Sequence, residues 1–181
     1  KFRFLHVSCF DEKAKNIQGM LRAVRIVAKQ RQDFELICVG TGIDYAEDVA
    51  YAQTLDFPKG LLTFTGEQTP HEVAQWMQQS DCFLFFSRYE NAPVVLSECL
   101  AIGLPIISSN AGGIPEMIDH ECGILVPSED EVALANAMLE MIDNQKEYTA
   151  DTIRKRGAKY TYQNIGKQLS DTYQRLVISA N

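Results

Sequence analysis

Short apolar runs alternate along the chain with segments in which apolar positions recur every three or four residues. Phe2–Ser8, Phe34–Gly40, Leu61–Thr65, Cys82–Ser87, Pro105–Ser109 and Gly123–Val126 read as strands, and the run from Cys82 to Phe86 is apolar throughout, as in a strand covered on both faces. Between the first two strands, Ile17, Met20, Leu21, Val24, Val27 and Ala28 form the stripe of an amphipathic helix. Further helices are predicted over Asp44–Leu55, Pro70–Gln79, Pro93–Ile102 and Glu129–Asp143, with Pro93 as the first helical residue. Gly103 and Pro105 end one helix, and Pro115 starts a short helical turn after Gly112-Gly113. Beyond residue 145 the strands stop, and Lys146–Lys159 and Tyr162–Val177 read as two closing helices. Such alternation is the signature of βαβ units. It predicts a single α/β, Rossmann-like, doubly wound domain: a mainly parallel six-stranded sheet with helices on both faces and two closing C-terminal helices.

With 181 residues, 46% of them hydrophobic, the chain is long enough for one large core and short for two domains. A net charge of −7 argues against a nucleic-acid surface, which needs a positive field. The basic cluster Arg154-Lys155-Arg156 with Lys159 reads as a solvated helix face. No apolar run approaches the roughly 20 residues that span a bilayer, and the N-terminus lacks a signal-peptide pattern. All five cysteines lie in or beside apolar segments with no C-x-x-C pair, which reads as reduced core thiols of a cytoplasmic protein. His6, His71 and His120 are dispersed, so no histidine metal site is expected.

Open parallel sheets bind ligands beyond the carboxyl ends of their strands. The loops at that edge are Cys9–Lys15, Gly40-Thr41-Gly42, Gly66–Pro70, Arg88–Ala92 and Asn110–Pro115. Together they supply glycines, backbone N–H groups at helix starts, lysines and two carboxylates, a set suited to a phosphorylated ligand with hydroxyls. The carboxylates are Glu90, on the loop leaving the fourth strand, and Glu98, on the following helix. Val94, Val95, Ala101 and Ile102 lie within a turn of Glu98, so its carboxylate is expected on an apolar face and in need of compensation. One reading is a buried Glu bonded to a backbone N–H or a Lys, with a solvated Glu90; the other is two acceptors facing one polyhydroxylated ligand. Trp76 and Met77, at helical spacing with Val73, read as core, and Tyr89 either lines a pocket or covers the strand end.

The ordered series Glu90-x7-Glu98, Cys99 to Glu116 with its Gly112-Gly113-Ile114-Pro115, and Cys122-Gly123-Ile124-Leu125-Val126-Pro127 resembles the donor-binding domain of glycosyltransferase family 4, retaining enzymes of the GT-B fold. Val39-Gly40-Thr41-Gly42 and Phe64-Thr65-Gly66 extend the resemblance over nearly the whole chain. It implies that Glu90 contacts the transferred sugar as the catalytic-site residue and that Glu98 accepts from the ribose hydroxyls. The N–H groups of Asn91, Ala92 and Val94 would face the diphosphate or sugar, and Lys15 matches the family's lysine after the first strand. The family's arginine falls at about Cys9; Lys13 would substitute for it, or the cation would come from elsewhere. Gly112 and Gly113 would admit a ligand to the backbone, or form a plain turn. Gly66 and the Glu67–Thr69 backbone would form the nucleobase edge, and Lys13 and Lys15 are otherwise solvated charges at a helix start.

The resemblance further implies a nucleoside diphosphate sugar as donor, no cofactor and no required metal, and hexosyl transfer to a glycan or lipid-linked acceptor, as in polysaccharide biosynthesis. Residues 1–181 would be the second domain of two, the acceptor domain lying outside this chain, and the domain alone would bind donor weakly and turn over little. The location implied is cytoplasmic, with peripheral contact to the inner face of a membrane open to the full-length protein. A non-catalytic nucleotide-sugar binding module stays open as a second reading, and an epimerase of the same fold as a third. A receiver-type signalling domain is excluded, because it has no use for the Glu90-to-Pro127 series.

Overall fold

A computed structural model describes residues 1–179, in which β1 (Phe2–Val7), β2 (Phe34–Val39), β3 (Leu62–Gly66), β4 (Cys82–Phe85), β5 (Ile106–Ser109) and β6 (Gly123–Val126) form one sheet in the order β3-β2-β1-β4-β5-β6. Each neighbouring pair is parallel, so the sheet is wholly rather than mainly parallel. The helices are α1 (Glu12–Lys15), α2 (Ile17–Ala28), α3 (Tyr45–Thr54), α4 (Pro70–Gln78), α5 (Val94–Ile102), α6 (Ile114–Met117), α7 (Glu131–Asn144), α8 (Ala150–Gly157) and α9 (Tyr162–Ser179).

Alternation along the strands divides the core into two layers. Phe4, Leu36, Cys38, Leu84 and Ile107 point to the face covered by α2 and α7. Leu5, Ile37, Phe83, Phe85 and Ile106 point to the other, packed by Met77 of α4, Leu96 and Leu100 of α5 and Ile153 of α8. Strands carrying apolar side chains on both faces can only lie inside such a sandwich, which is why the buried runs were legible.

Several boundaries move for local reasons. Pro93 is not the first helical residue but the N-cap of α5, at φ −67° and ψ 115°. The helix expected from Lys146 is a 3₁₀ turn over Gln145–Glu147 followed by α8, because Thr149 is extended and its hydroxyl accepts from the Thr152 N–H. The helix expected from Glu129 begins at Glu131: Glu129 has φ 62° and the Asp130 side chain caps the Ala133 N–H. Gly103 closes α5 at φ 82°, where a Cβ would lie 2.7 Å from Ala150, so α8 packs directly on this turn.

The basic cluster lies at the surface, with Arg154 and Lys155 exposed as expected, but three of its members are also engaged by the protein. Arg154 donates to the Ile102 carbonyl at the end of α5, and Arg156 Nη2 and Lys159 Nζ both donate to Glu116 O, at 3.2 and 2.9 Å. Four residues read only as charges thus include three that satisfy the orphan carbonyls of two other helices.

Asp48 on α3 is fully buried, and only its Oδ1 has a partner, Gln18 Nε2 at 3.2 Å; Oδ2 has none. Burial, with a lesser push from Glu12, Asp44 and Glu47, raises its pKa to about 6, against the single stabilising bond from Gln18. The folded chain therefore holds the proton more tightly than the unfolded chain, and stability falls as pH rises from the ordinary aspartate range through 6. Asp48→Asn keeps the Gln18 bond and removes the charge. It is expected to stabilise the fold by roughly 1 kcal/mol at pH 7, the gain shrinking towards pH 4; thermal denaturation at both pH values checks this.

Candidate active site

The strand order reverses between β1 and β4, so the loops leaving these two strands stand side by side at the carboxyl edge. From β1 the chain runs through Ser8, Cys9 and Phe10 into α1, whose start is capped by the Asp11 carboxylate. Asn16, left-handed at φ 51°, separates α1 from α2. From β4 it runs through Arg88, Tyr89 and Glu90 into α5.

Lys15 and Glu90 meet across this junction, Nζ to Oε1 at 2.5 Å, with side chains 16% and 8% exposed. The ammonium also lies 5.4 Å from the centroid of the Phe85 ring, a cation–π contact at the end of β4. Lys13, by contrast, is exposed and does not join the pair; its carbonyl accepts from Arg88. Cys9 is exposed as well, unlike the other four cysteines, because it lies on the loop rather than in the strand.

Arg88, which pattern reasoning did not single out, ties the two loops together. Its backbone N–H donates to Ala14 O at 2.7 Å, Nη1 to Glu12 O at 2.5 Å and Nη2 to Asn16 Oδ1 at 2.5 Å. Its Nε donates to Glu129, so the guanidinium is charge-balanced by an acid from the β6–α7 connection. A five-donor planar fork suits this bridging; a lysine would make at most part of it.

Beneath the loop lies His6, fully buried on β1. Burial holds its pKa down at about 4, opposed by its bond to Leu84 O, so the ring is neutral. Because Leu84 O can only accept, Nδ1 carries the proton and donates at 2.9 Å, leaving Nε2 to accept from the Ser8 hydroxyl at 2.7 Å. His6 thus fixes the first residue of the site loop, a role its position in the sequence did not announce.

Gly112 and Gly113 do allow a close approach, but the partner is the protein itself. A Cβ on Gly112 would lie 1.7 Å from Glu90 O and one on Gly113 2.0 Å from Asn91 O, and the Gly113 N–H donates to Glu90 O. The glycine turn supports the Glu90 loop from behind. Arg88, Tyr89, Glu90, Asn91 and Gly112 line a depression of about 440 Å³. Asn91, Ala92 and Val94 are exposed, and no side chain caps α5, which leaves its positive end open.

Glu98 does not sit in a compensated apolar interior. It is exposed and lines a separate depression of about 480 Å³ between α4 and α5, with Val7, Gln68, Val73, Met77 and Ile102. The apolar neighbours expected to bury it are partly outside themselves, Val94 at 71% exposure. Desolvation by the walls of the depression nevertheless raises its pKa. Its carboxylate has no hydrogen-bonded partner among the described residues. Gln68, within the Glu67–Thr69 stretch, joins it, while Gly66, at φ 73°, accepts from the Gly40 N–H and the Glu67 side chain is exposed. Val73 and Met77 line this depression besides packing the core, and Trp76 is taken up by the Arg3 guanidinium at 5.8 Å.

A family model described as Glycosyl transferases group 1 matches residues 1–144. The chain is 30% identical to the amylovoran biosynthesis glycosyltransferase AmsK of Erwinia amylovora, over 96% of this chain and 45% of that protein. It is also 30% identical to the alpha-monoglucosyldiacylglycerol synthase of Streptococcus pneumoniae, over 92% of this chain and 37% of that protein. The sucrose-phosphate synthase structure from Thermosynechococcus elongatus superposes with TM-score 0.86 at 27% identity, covering 99% of this chain and 46% of that one. Anabaena HepE, solved in complex with UDP, shares the fold with TM-score 0.81 at 22% identity, covering 97% and 49%. The chain spans about half or less of the length of these proteins.

Lys15→Met would leave the Glu90 carboxylate mostly buried and unpaired. We expect a loss of about 2 kcal/mol in urea denaturation, most of it restored in Lys15→Met/Glu90→Gln, where no orphan charge remains.

Proposed function

Because the chain belongs to the glycosyl transferases group 1 family, we propose that it is the donor-binding part of a retaining glycosyltransferase, which moves a hexosyl group from a nucleoside diphosphate sugar to a hydroxyl of a glycan or lipid-linked acceptor. The observation that carries this reading is the meeting of Lys15 and Glu90 beside the uncapped start of α5, with the unpartnered Glu98 farther along the same helix.

Each part has a chemical task. The Glu98 depression offers apolar walls to a nucleoside and a carboxylate whose two oxygens accept from adjacent ribose hydroxyls. The Asn91, Ala92 and Val94 N–H groups and the Lys15 ammonium meet the diphosphate, where charge builds as the leaving group departs. Glu90 and the depression beside Gly112 receive the sugar. In this reading the cationic groups are the protein's own and no metal or cofactor is needed. The acceptor would be bound by chain outside these residues, and the two curated relatives, whose names concern amylovoran and a diacylglycerol glycolipid, support both acceptor classes. No described helix is long and apolar enough to cross a membrane, which is compatible with a cytoplasmic protein meeting a membrane only at its surface. The exposed Cys9 at the family's arginine position and the outward Lys13 favour one other reading, a module that binds the donor without turning it over.

Thermal-shift measurements with UDP, GDP, ADP and CMP should single out one nucleotide that raises the melting temperature. Glu98→Gln is expected to weaken that nucleotide about tenfold through the lost charge-assisted bonds to ribose. Undiminished binding by the variant would remove Glu98 from the site. Donor hydrolysis or transfer by the full-length protein separates the enzyme from the binding module.

A further inference from the structure

The Lys15–Glu90 pair stands where a ligand phosphate is expected. Lys15 is held from one side of the junction, where Arg88 bonds the carbonyls of Glu12 and Ala14 and the side chain of Asn16, and Glu90 from the other, where its carbonyl accepts from the Gly113 N–H. The two charges cancel, and both side chains are largely withdrawn from solvent. A phosphate that approaches the exposed start of α5 therefore meets a cation already engaged by a carboxylate from the same loop.

We propose that Glu90 occupies the phosphate position on Lys15 in the ligand-free protein, and that a diphosphate displaces it, so that the carboxylate is released to the sugar only when the diphosphate is seated. This rests on the reading of the site as one for a nucleoside diphosphate sugar. Carboxylate and phosphate oxygens compete for the same ammonium protons, so Lys15 keeps an anionic partner throughout the exchange. A diphosphate brings higher charge and a second phosphate that can reach the α5 N–H groups, two contacts for the one it breaks. A nucleoside brings neither and leaves the pair closed, while orthophosphate reaches Lys15 or α5 but not both. Glu90 is thereby a specificity-determining residue: an internal competitor that rejects weak anions and couples phosphate binding to sugar contact.

Calorimetric titration of inorganic pyrophosphate into the parent chain, Glu90→Gln, Lys15→Met and the double variant tests this, because pyrophosphate is independent of base and sugar. Glu90→Gln should bind pyrophosphate at least about fivefold more tightly than the parent, the lower end of measured coupling between sites. Lys15→Met should bind it at least about tenfold more weakly, and adding Glu90→Gln to it should bring no gain. If Lys15→Met unfolds, the double variant, which has no orphan charge, supplies the comparison. Equal affinity of parent and Glu90→Gln overturns the proposal, as does a gain that persists without Lys15, which would be a general charge effect; either leaves the phosphate site standing. Failure of all four proteins to bind millimolar pyrophosphate overturns the phosphate assignment of Lys15, and this proposal with it.

Discussion

β1 and β4 lie side by side in parallel although most of two βαβ units separate them, and their register, Phe4 opposite Cys82 and Leu5 opposite Phe83, sets the height at which both strands end. From that register follow the adjacency of the Ser8 and Arg88 loops, the reach of Lys15 to Glu90 and the direction in which α5 leaves the sheet. A slip along this short ladder would carry the two loops past each other and turn side chains to the wrong layer. The aromatic side chains around it resist such a slip: Phe83 and Phe85 fill one face and Phe4 and Phe86 the other, all at 1% exposure or less.

Above that ladder the site is organised by charges that are paired rather than free. Arg88 is balanced by Glu129, Lys15 by Glu90, and His6 is kept neutral by burial. Glu98 alone of the two site carboxylates is without a partner, and it stands on the open wall of its depression rather than inside the core. The arrangement separates an unpartnered carboxylate, on the helix, from an ion pair made by the loop that precedes it. The backbone of that loop is fixed by the glycine contacts and by the Arg88 guanidinium.

The strands and helices were legible because each is a local pattern: apolar runs for strands closed in on both faces, a stripe for α2, Gly103 with Pro105 for the end of α5. Their ends were less so, since Thr149 and Asp130 act as caps through side-chain bonds that spacing does not reveal. The residues of the candidate site could be picked out by motif, but not their relations. Lys15 and Glu90 are 75 positions apart, and nothing in either segment states that one will neutralise the other. Glu98 was expected in an apolar surround because its helical neighbours are apolar, whereas Val94 and Ala101 face solvent with it. The glycine turn could be read as room for a ligand or as a plain turn, and no local pattern told that it packs on the Glu90 carbonyl of another loop.

The carbonyl of Glu116 receives donors from Arg156, Lys159 and Tyr160, all of them beyond the stretch that the family model matches. The short helix that follows the turn behind Glu90 is therefore held by chain that comes after the last strand. Three donors converge on one oxygen, so a chain cut short before Arg156 would keep every residue of the candidate site and still lose what anchors the helix end beside it.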